Sequence, residues 1–306
     1  MTAPATPAAS ATAPANARRT NATSGPRRVP GAVLVLIAMA VLHTGSALAT
    51  ELFPALGPAG TTWLRLSFAG LFLLAFTGRS LWRTLRSAPR ADLVATALLG
   101  LVSAAMMLFF SEASARLPLG TATALEFLGP LSVAVVASRR GRELAWLALA
   151  AAGVLLLTSP WTGVTSSTGI LFGLGSAACW ALYVVGTAHV GSRFSAPHAL
   201  AISLTVAALA AAPFGASAAV AALTWQTVAA AAGIAVLMPL VPFLLEMKAL
   251  QRIGKTTYGT LAGLEPAVSL LAGMILIAQT PDVLQLAGTA LVVTAGIGAT
   301  RAESRR

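Results

Sequence analysis

Ten long apolar stretches follow one another between Gly31 and Thr300, each close to the roughly 20 residues that a helix needs to cross a bilayer. Their boundaries read 31 to 50, 60 to 78, 92 to 110, 118 to 138, 143 to 159, 169 to 189, 197 to 214, 227 to 247, 255 to 278 and 282 to 300. The runs are continuous rather than alternating, so they read as helices and not as the strands of an outer-membrane barrel. Composition agrees: 57% of the 306 residues are hydrophobic and 9% are charged, against about 25% charged in an ordinary soluble domain. Twenty basic and nine acidic residues cannot solvate the surfaces of soluble domains built from a chain this long. A soluble enzyme is excluded, and the chain reads as an all-α membrane protein. The lone Cys179 has no partner for a disulfide or a metal site, and reads as a small core residue.

The charges are distributed with one sign of asymmetry. Residues 1 to 28 are rich in Ala, Pro and Thr and end in Arg18, Arg19, Arg27 and Arg28, a disordered basic tail rather than a cleaved leader. Further basic residues fall in every second connection: Arg79, Arg83, Arg86 and Arg90, then Arg139, Arg140 and Arg142, then Arg193, then Lys248, Arg252 and Lys255, and finally Arg301, Arg305 and Arg306. Together these are eighteen of the twenty basic residues, and only Arg116 and Arg65 stand elsewhere. Basic connections stay on the cytoplasmic side, so ten spans with both termini cytoplasmic are expected. The net charge of +11 is thereby a topology signal, not the footprint of a nucleic-acid partner.

Residues 110 to 130, FSEASARLPLGTATALEFLGP, align without a gap to residues 246 to 266, EMKALQRIGKTTYGTLAGLEP. Identical pairs include Arg116 with Arg252, Thr121 with Thr257 and Pro130 with Pro266. The repeat unit is five spans, an odd number, so the halves are inverted about the membrane plane. The chain then divides into a tail at 1–28, a first five-helix repeat at 29–160, a second at 161–300 and a basic tail at 301–306. Inverted repeats suit alternating access, because two halves of one fold can exchange conformations around a central site.

Three stretches, ALEFLGPLSVAVVASRR at 124 to 140, ACWALYVVG at 178 to 186 and LEMKALQRIGKTTYGTLAGLEPAVSLLAGMI at 245 to 275, resemble the drug/metabolite transporter superfamily of the EamA type. The ALEFxGP and YGTLxxLEP runs are similar to those of its bacterial threonine and homoserine exporter branch. The resemblance implies a multi-pass inner-membrane carrier that expels small neutral amino acids, driven by the proton gradient, with membrane lipid and protons as its other partners. It departs from the family at Gln279, where relatives place a Glu near the outer end of span nine.

Ionisable groups inside spans are costly, about 2.5 to 3.5 kcal/mol each on insertion scales, and each is therefore a functional candidate. Glu126 and Glu265 lie about 12 and 15 Å into spans four and nine at 1.5 Å per residue, near the midplane on symmetry-related helices. Glu126 is one turn before Pro130, and Glu265 directly precedes Pro266. Each proline frees a backbone carbonyl and marks a helix break beside a carboxylate. Either acid reads as a binder of the substrate's ammonium or a proton carrier, or as a structural interhelical hydrogen bond. A carboxyl in a low-dielectric surround takes and releases protons near neutral pH as its access to water alternates.

Arg65, about 8 Å into span two, either snorkels to the outer surface or pairs with Glu51, or else receives the substrate's carboxylate. An amino-acid zwitterion needs a positive counterpart as well as a negative one. His43 is near midplane in span one, a packing residue or a relay. Trp180, Tyr183 and Tyr258 either line the cavity or pack between helices. Glu246, one turn beyond Pro242, reads as an interfacial pair with Lys248 or Arg252, or as a cytoplasmic gate. Glu112 with Arg116 reads as a surface pair, Asp92 as a cap of span three, and Gly169, Gly173 and Ser176 as a packing stripe.

No GxxxxGK[ST], HExxH or GxSxG run and no metal-ligand cluster is present, so ATP-driven transport by this chain and hydrolase chemistry lack support. No cofactor or metal is expected. The rival readings are a broader metabolite or drug exporter and, from another class, a flippase or membrane enzyme acting on a lipid-linked head group. The outer connections are nearly free of the charges that the last of these would need.

Overall fold

The computed structural model describes residues 29–138, 144–159, 161, 165–190, 193–250 and 252–304. Among the described residues every regular element is helical, with no strand. The helices are α1 Gly31–Thr50, α2 Phe53–Ser87, α3 Arg90–Ser114, α4 Leu119–Ser138, α5 Leu144–Thr158, α6 Ser167–Val190 and α7 Ala196–Ala221. They continue with α8 Trp225–Ala235, a π turn over Val236–Leu240, α9 Val241–Leu250, α10 Lys255–Ala262, α11 Glu265–Leu276 and α12 Val283–Ser304. Nine stretches among the described residues are long and apolar enough to cross a membrane, and the apolar α5 is a shorter tenth at 15 residues. The chain is a multi-pass membrane protein. The basic tail at 1–28, the Arg139, Arg140 and Arg142 cluster, and Arg305 and Arg306 lie outside the described residues.

All ten expected stretches are helical, but three depart from a plain rod. α2 runs for 35 residues, well past the apolar stretch 60 to 78. It bends at Gly57 and Gly78, whose φ of 70° and 46° is a left-handed conformation that glycine adopts without steric cost. The expected span is the segment between the two bends. Beyond Gly78 the helix carries Arg79, Arg83 and Arg86, with the Arg86 guanidinium over the Trp82 ring at 4.7 Å, a polar face for which hydropathy has no signal. Span eight is split at Met238, which leaves the helical region (φ −144°, ψ 105°) ahead of Pro239. Span nine is split between α10 and α11 at Gly263 and Leu264, and Pro266 occupies the first turn of α11, where its missing N–H costs nothing. Pro130, by contrast, sits inside a continuous α4, so the expected break there is not formed.

The helices pack as α2 on α7, α3 on α6 and α7, α4 on α6, α5 and α11, α5 on α12, α1 on α9 and α11, α2 on α8, and α10 on α12. Small residues permit these contacts, because lipid tails are as apolar as leucine and association depends on close approach. At Gly129 of α4 a Cβ would meet the Ala177 carbonyl oxygen of α6 at 2.2 Å, so only glycine lets these two backbones touch. Gly169 and Gly173 of α6 receive Leu117 and Leu125 in the same way, as expected of a packing stripe. Outward-facing Phe76, Leu209, Ile275 and Val283 are exposed, an apolar surface that water would penalise and lipid does not. Asp92 does not cap α3: Pro89 holds that position, and Asp92 lies in the first turn, 4.0 Å from Arg193. Glu112 and Arg116 form the expected pair one turn apart.

Candidate functional site

Two helices, α2 and α4, supply opposite charges to one region of the bundle. Arg65 of α2 is 4% exposed and is held inside the protein rather than snorkelling, while Glu51 is exposed. Its Nη1 donates to Met238 Sδ at 3.2 Å, and Ser46 Oγ of α1 donates to the same sulfur at 3.4 Å. Glu126 of α4 is partly buried and within electrostatic reach of Arg65. A lone charge in a low-dielectric interior is expensive, and the opposite charge offsets that cost.

Glu126 has a second partner. Its Oε1 lies 2.5 Å from Ser176 Oγ of α6, which is also 3.0 Å from the Met106 carbonyl of α3. A hydroxyl carries one proton and can accept as well. If the proton goes to the carboxylate, Ser176 serves ionised Glu126; if it goes to Met106, Ser176 accepts from the protonated acid. Either form of Glu126 therefore finds a hydrogen bond. Ser176, expected to pack in a small-residue stripe, becomes a polar partner only through the α4 to α6 crossing, closed at Gly129.

A second group lies on the broken spans. Glu246 of α9 is hydrogen-bonded through its side chain to Tyr258 of α10. Glu265, the first residue of α11, is partly buried and near enough to Glu246 and Glu126 to feel the repulsion of their like charges. Glu246 is thus tied to Tyr258; among the described residues, Arg252 instead donates to the Val29 carbonyl at 2.5 Å. Arg65, Glu126, Glu265, Glu246 and Tyr258, on α2, α4, α11, α9 and α10, thus each lie within electrostatic range of another member of the set.

The remaining candidates are dispersed. His43 is 3% exposed, and neither ring nitrogen has a hydrogen-bond partner among the described residues. Trp180 packs edge-on against Phe127, 6.5 Å between ring centroids, in the core of α4, α5 and α12. Tyr183, three residues on, turns to a different cluster with Leu99 and Phe194 and is hydrogen-bonded to Thr187. Among the described residues no three of His, Cys, Asp and Glu are grouped so as to hold a metal.

α4 and α11 are stitched together at the end where α4 begins. Thr123 and Ser269 hydroxyls are 2.7 Å apart, and Ser269 Oγ donates to the Leu119 carbonyl at 3.2 Å. Gln279 Oε1 accepts from Leu119 N–H at 3.0 Å, satisfying one of the orphan donors of the α4 N-terminus.

The threonine/homoserine exporter RhtA of Escherichia coli (strain K12) is 37% identical over 271 residues, 88% of this chain and 90% of that protein. RhtA of Salmonella typhimurium (strain LT2) is 36% identical over the same shares. The model of the EamA-like transporter family matches residues 167–300. The chain belongs to the EamA-like transporter family. Its relatives are named as exporters and not as enzymes, and this family member is likewise a transporter. A crystal structure of another protein has the same fold, with a TM-score of 0.58 over 90% of this chain and 99% of that one at 17% identity. Within this EamA-like chain the family match contains Glu246, Tyr258 and Glu265, whereas Arg65 and Glu126 precede it.

Proposed function

We propose that the chain exports small neutral amino acids, threonine and homoserine first, across the inner membrane by alternating access, drawing on the proton gradient. The substrates come from the names of its relatives. The observation that carries the reading is that Arg65 and Glu126, of opposite charge, lie within electrostatic range of one another inside the bundle. A zwitterion inserted between them offers its carboxylate to the guanidinium and its ammonium to the carboxylate, so both buried charges keep a partner while both ends of the ligand gain one.

Inverted halves are favoured by which helices touch. α8 with α9 makes span eight, α10 with α11 span nine, and α12 span ten. Exchanging spans one to five with six to ten turns α3 on α6 into α1 on α9, and α4 on α6 into α1 on α11. It also turns α3 on α7 into α2 on α8 and α4 on α5 into α10 on α12, and maps α2 on α7, α5 on α12 and α4 on α11 onto themselves. Cytoplasmic termini follow from the basic connections. Proton coupling is favoured by the Ser176 hydroxyl, which suits Glu126 both charged and neutral.

The test is efflux of labelled threonine, homoserine and unrelated amino acids from proteoliposomes, with and without an imposed pH gradient. Threonine and homoserine should leave fastest and respond to the gradient. Glu126→Gln should insert normally and lose gradient-driven efflux. Equal rates for every amino acid, or a Glu126→Gln variant with unchanged transport and pH response, would refute the proposal.

A further inference from the structure

Arg65 makes a weak hydrogen bond for a buried cation. Its guanidinium presents five N–H donors in a rigid fork that matches a carboxylate bidentately. Among the described residues its hydrogen bond goes to Met238 Sδ, and a thioether is a poor acceptor. That sulfur is deliberately held: Ser46 Oγ donates to it, and the methionine packs so closely on α1 that a Cβ at Gly45 would lie 2.7 Å from Met238 Cγ. Met238 also occupies the one interrupted turn of span eight, where the backbone is non-helical. Its unbranched side chain has three rotatable bonds and adapts readily. A thioether contact of this kind orients the guanidinium and is weaker than one to an oxygen anion.

We propose that Met238 is a resident stand-in for the substrate carboxylate, occupying the Arg65 fork in the empty carrier and being displaced when an α-amino acid binds. It thereby positions Arg65 and sets the affinity for carboxylate-bearing substrates. This deepens the zwitterion reading above and rests on it. The ligand class is a small molecule bearing an α-carboxylate, whose two oxygens match the guanidinium fork bidentately where a single sulfur accepts one bond.

Two substitutions act with opposite sign. Met238→Leu keeps the apolar volume and removes the acceptor, so the ligand no longer competes with a resident hydrogen bond. Met238→Gln replaces sulfur with a stronger amide oxygen of similar reach. Binding of threonine and of its amino alcohol, which lacks the carboxylate, is measured by calorimetry on the purified full-length protein, with thermal melts to verify folding. Met238→Leu should bind threonine about three- to tenfold tighter, and Met238→Gln weaker by a similar factor, the range one net hydrogen bond spans. Neither should change amino-alcohol binding more than about twofold, below the effect of one net hydrogen bond. Unchanged threonine affinity in both variants, or equal changes for both ligands, would overturn the role of Met238. Arg65→Gln separates the two levels: undiminished threonine binding by that variant removes the zwitterion reading itself, whereas its loss alongside unaltered Met238 variants removes only the stand-in.

Discussion

Gly129→Ala is a severe test of how the carboxylate site is built. The added Cβ would stand 2.2 Å from the Ala177 carbonyl oxygen, 3.0 Å from its carbonyl carbon and 3.2 Å from its Cα. All three atoms are backbone, so no side chain can turn aside. Ordinary contact requires α4 and α6 to part by about 1 Å, and close-packed interiors resist such movement. Overpacking of this kind costs about 1 to 3 kcal/mol. The displacement also stretches the Glu126 to Ser176 contact, now 2.5 Å, to the edge of hydrogen-bonding distance. Loss of a hydrogen bond to a charged group adds about 1.5 to 3 kcal/mol.

The control is Gly233→Ala in α8, where nothing lies within 4 Å and the residue is exposed. That change should gain about 1 kcal/mol from helix propensity. Thermal melting in detergent and threonine counterflow in proteoliposomes would be compared for both. Gly129→Ala should melt well below the parent and transport at a small fraction of its rate, while Gly233→Ala melts at or above the parent and transports normally. If Gly129→Ala melts and transports like Gly233→Ala, the close crossing of α4 and α6 is not what holds Glu126.

Two further substitutions probe the polar stitching. Gln279→Ala removes the acceptor for Leu119 N–H and should lower stability by about 1 kcal/mol, whereas Gln279→Glu should match or exceed the parent because a helix N-terminus favours an anion. Melting midpoints check both. Tyr258→Phe deprives Glu246 of its hydrogen bond and should cost about 1 to 3 kcal/mol. Adding Glu246→Gln should recover part of that loss, since a neutral amide is cheaper to leave in the bundle than a carboxylate, and a double-mutant cycle reads the difference.

Much of the scaffold could be read in advance because crossing a bilayer imposes a length and an apolarity on each segment. α1 coincides with the expected 31 to 50, and α4 and α5 differ from expectation by a residue or so at each end. The site was less legible. Glu126, Glu265 and Arg65 stood out as ionisable groups at depth, but Ser176 and Met238 did not. A serine in a glycine-rich stripe and a methionine in an apolar run carry no signal until a neighbour is known. Pro130 and Pro266 align when the two stretches of sequence are superposed, yet one lies in a continuous helix and the other in the first turn of a new one. Trp180 and Tyr183 are three residues apart and nonetheless enter different clusters.

Sequence alone determined the solvent, the helices and the short roster of buried charges, because each of these follows from the cost of placing a given side chain or backbone group in lipid. Tertiary structure decided which charges meet. Apolar faces in a membrane carry no preference for one another over lipid, so the pairing of helices depends on where glycine and alanine admit a neighbouring backbone. The contact of Gly129 with Ala177 brings Ser176 to Glu126, and the interruption at Met238 brings its sulfur to Arg65. Neither contact exists until two distant segments pack, and sequence spacing along one helix holds no record of it.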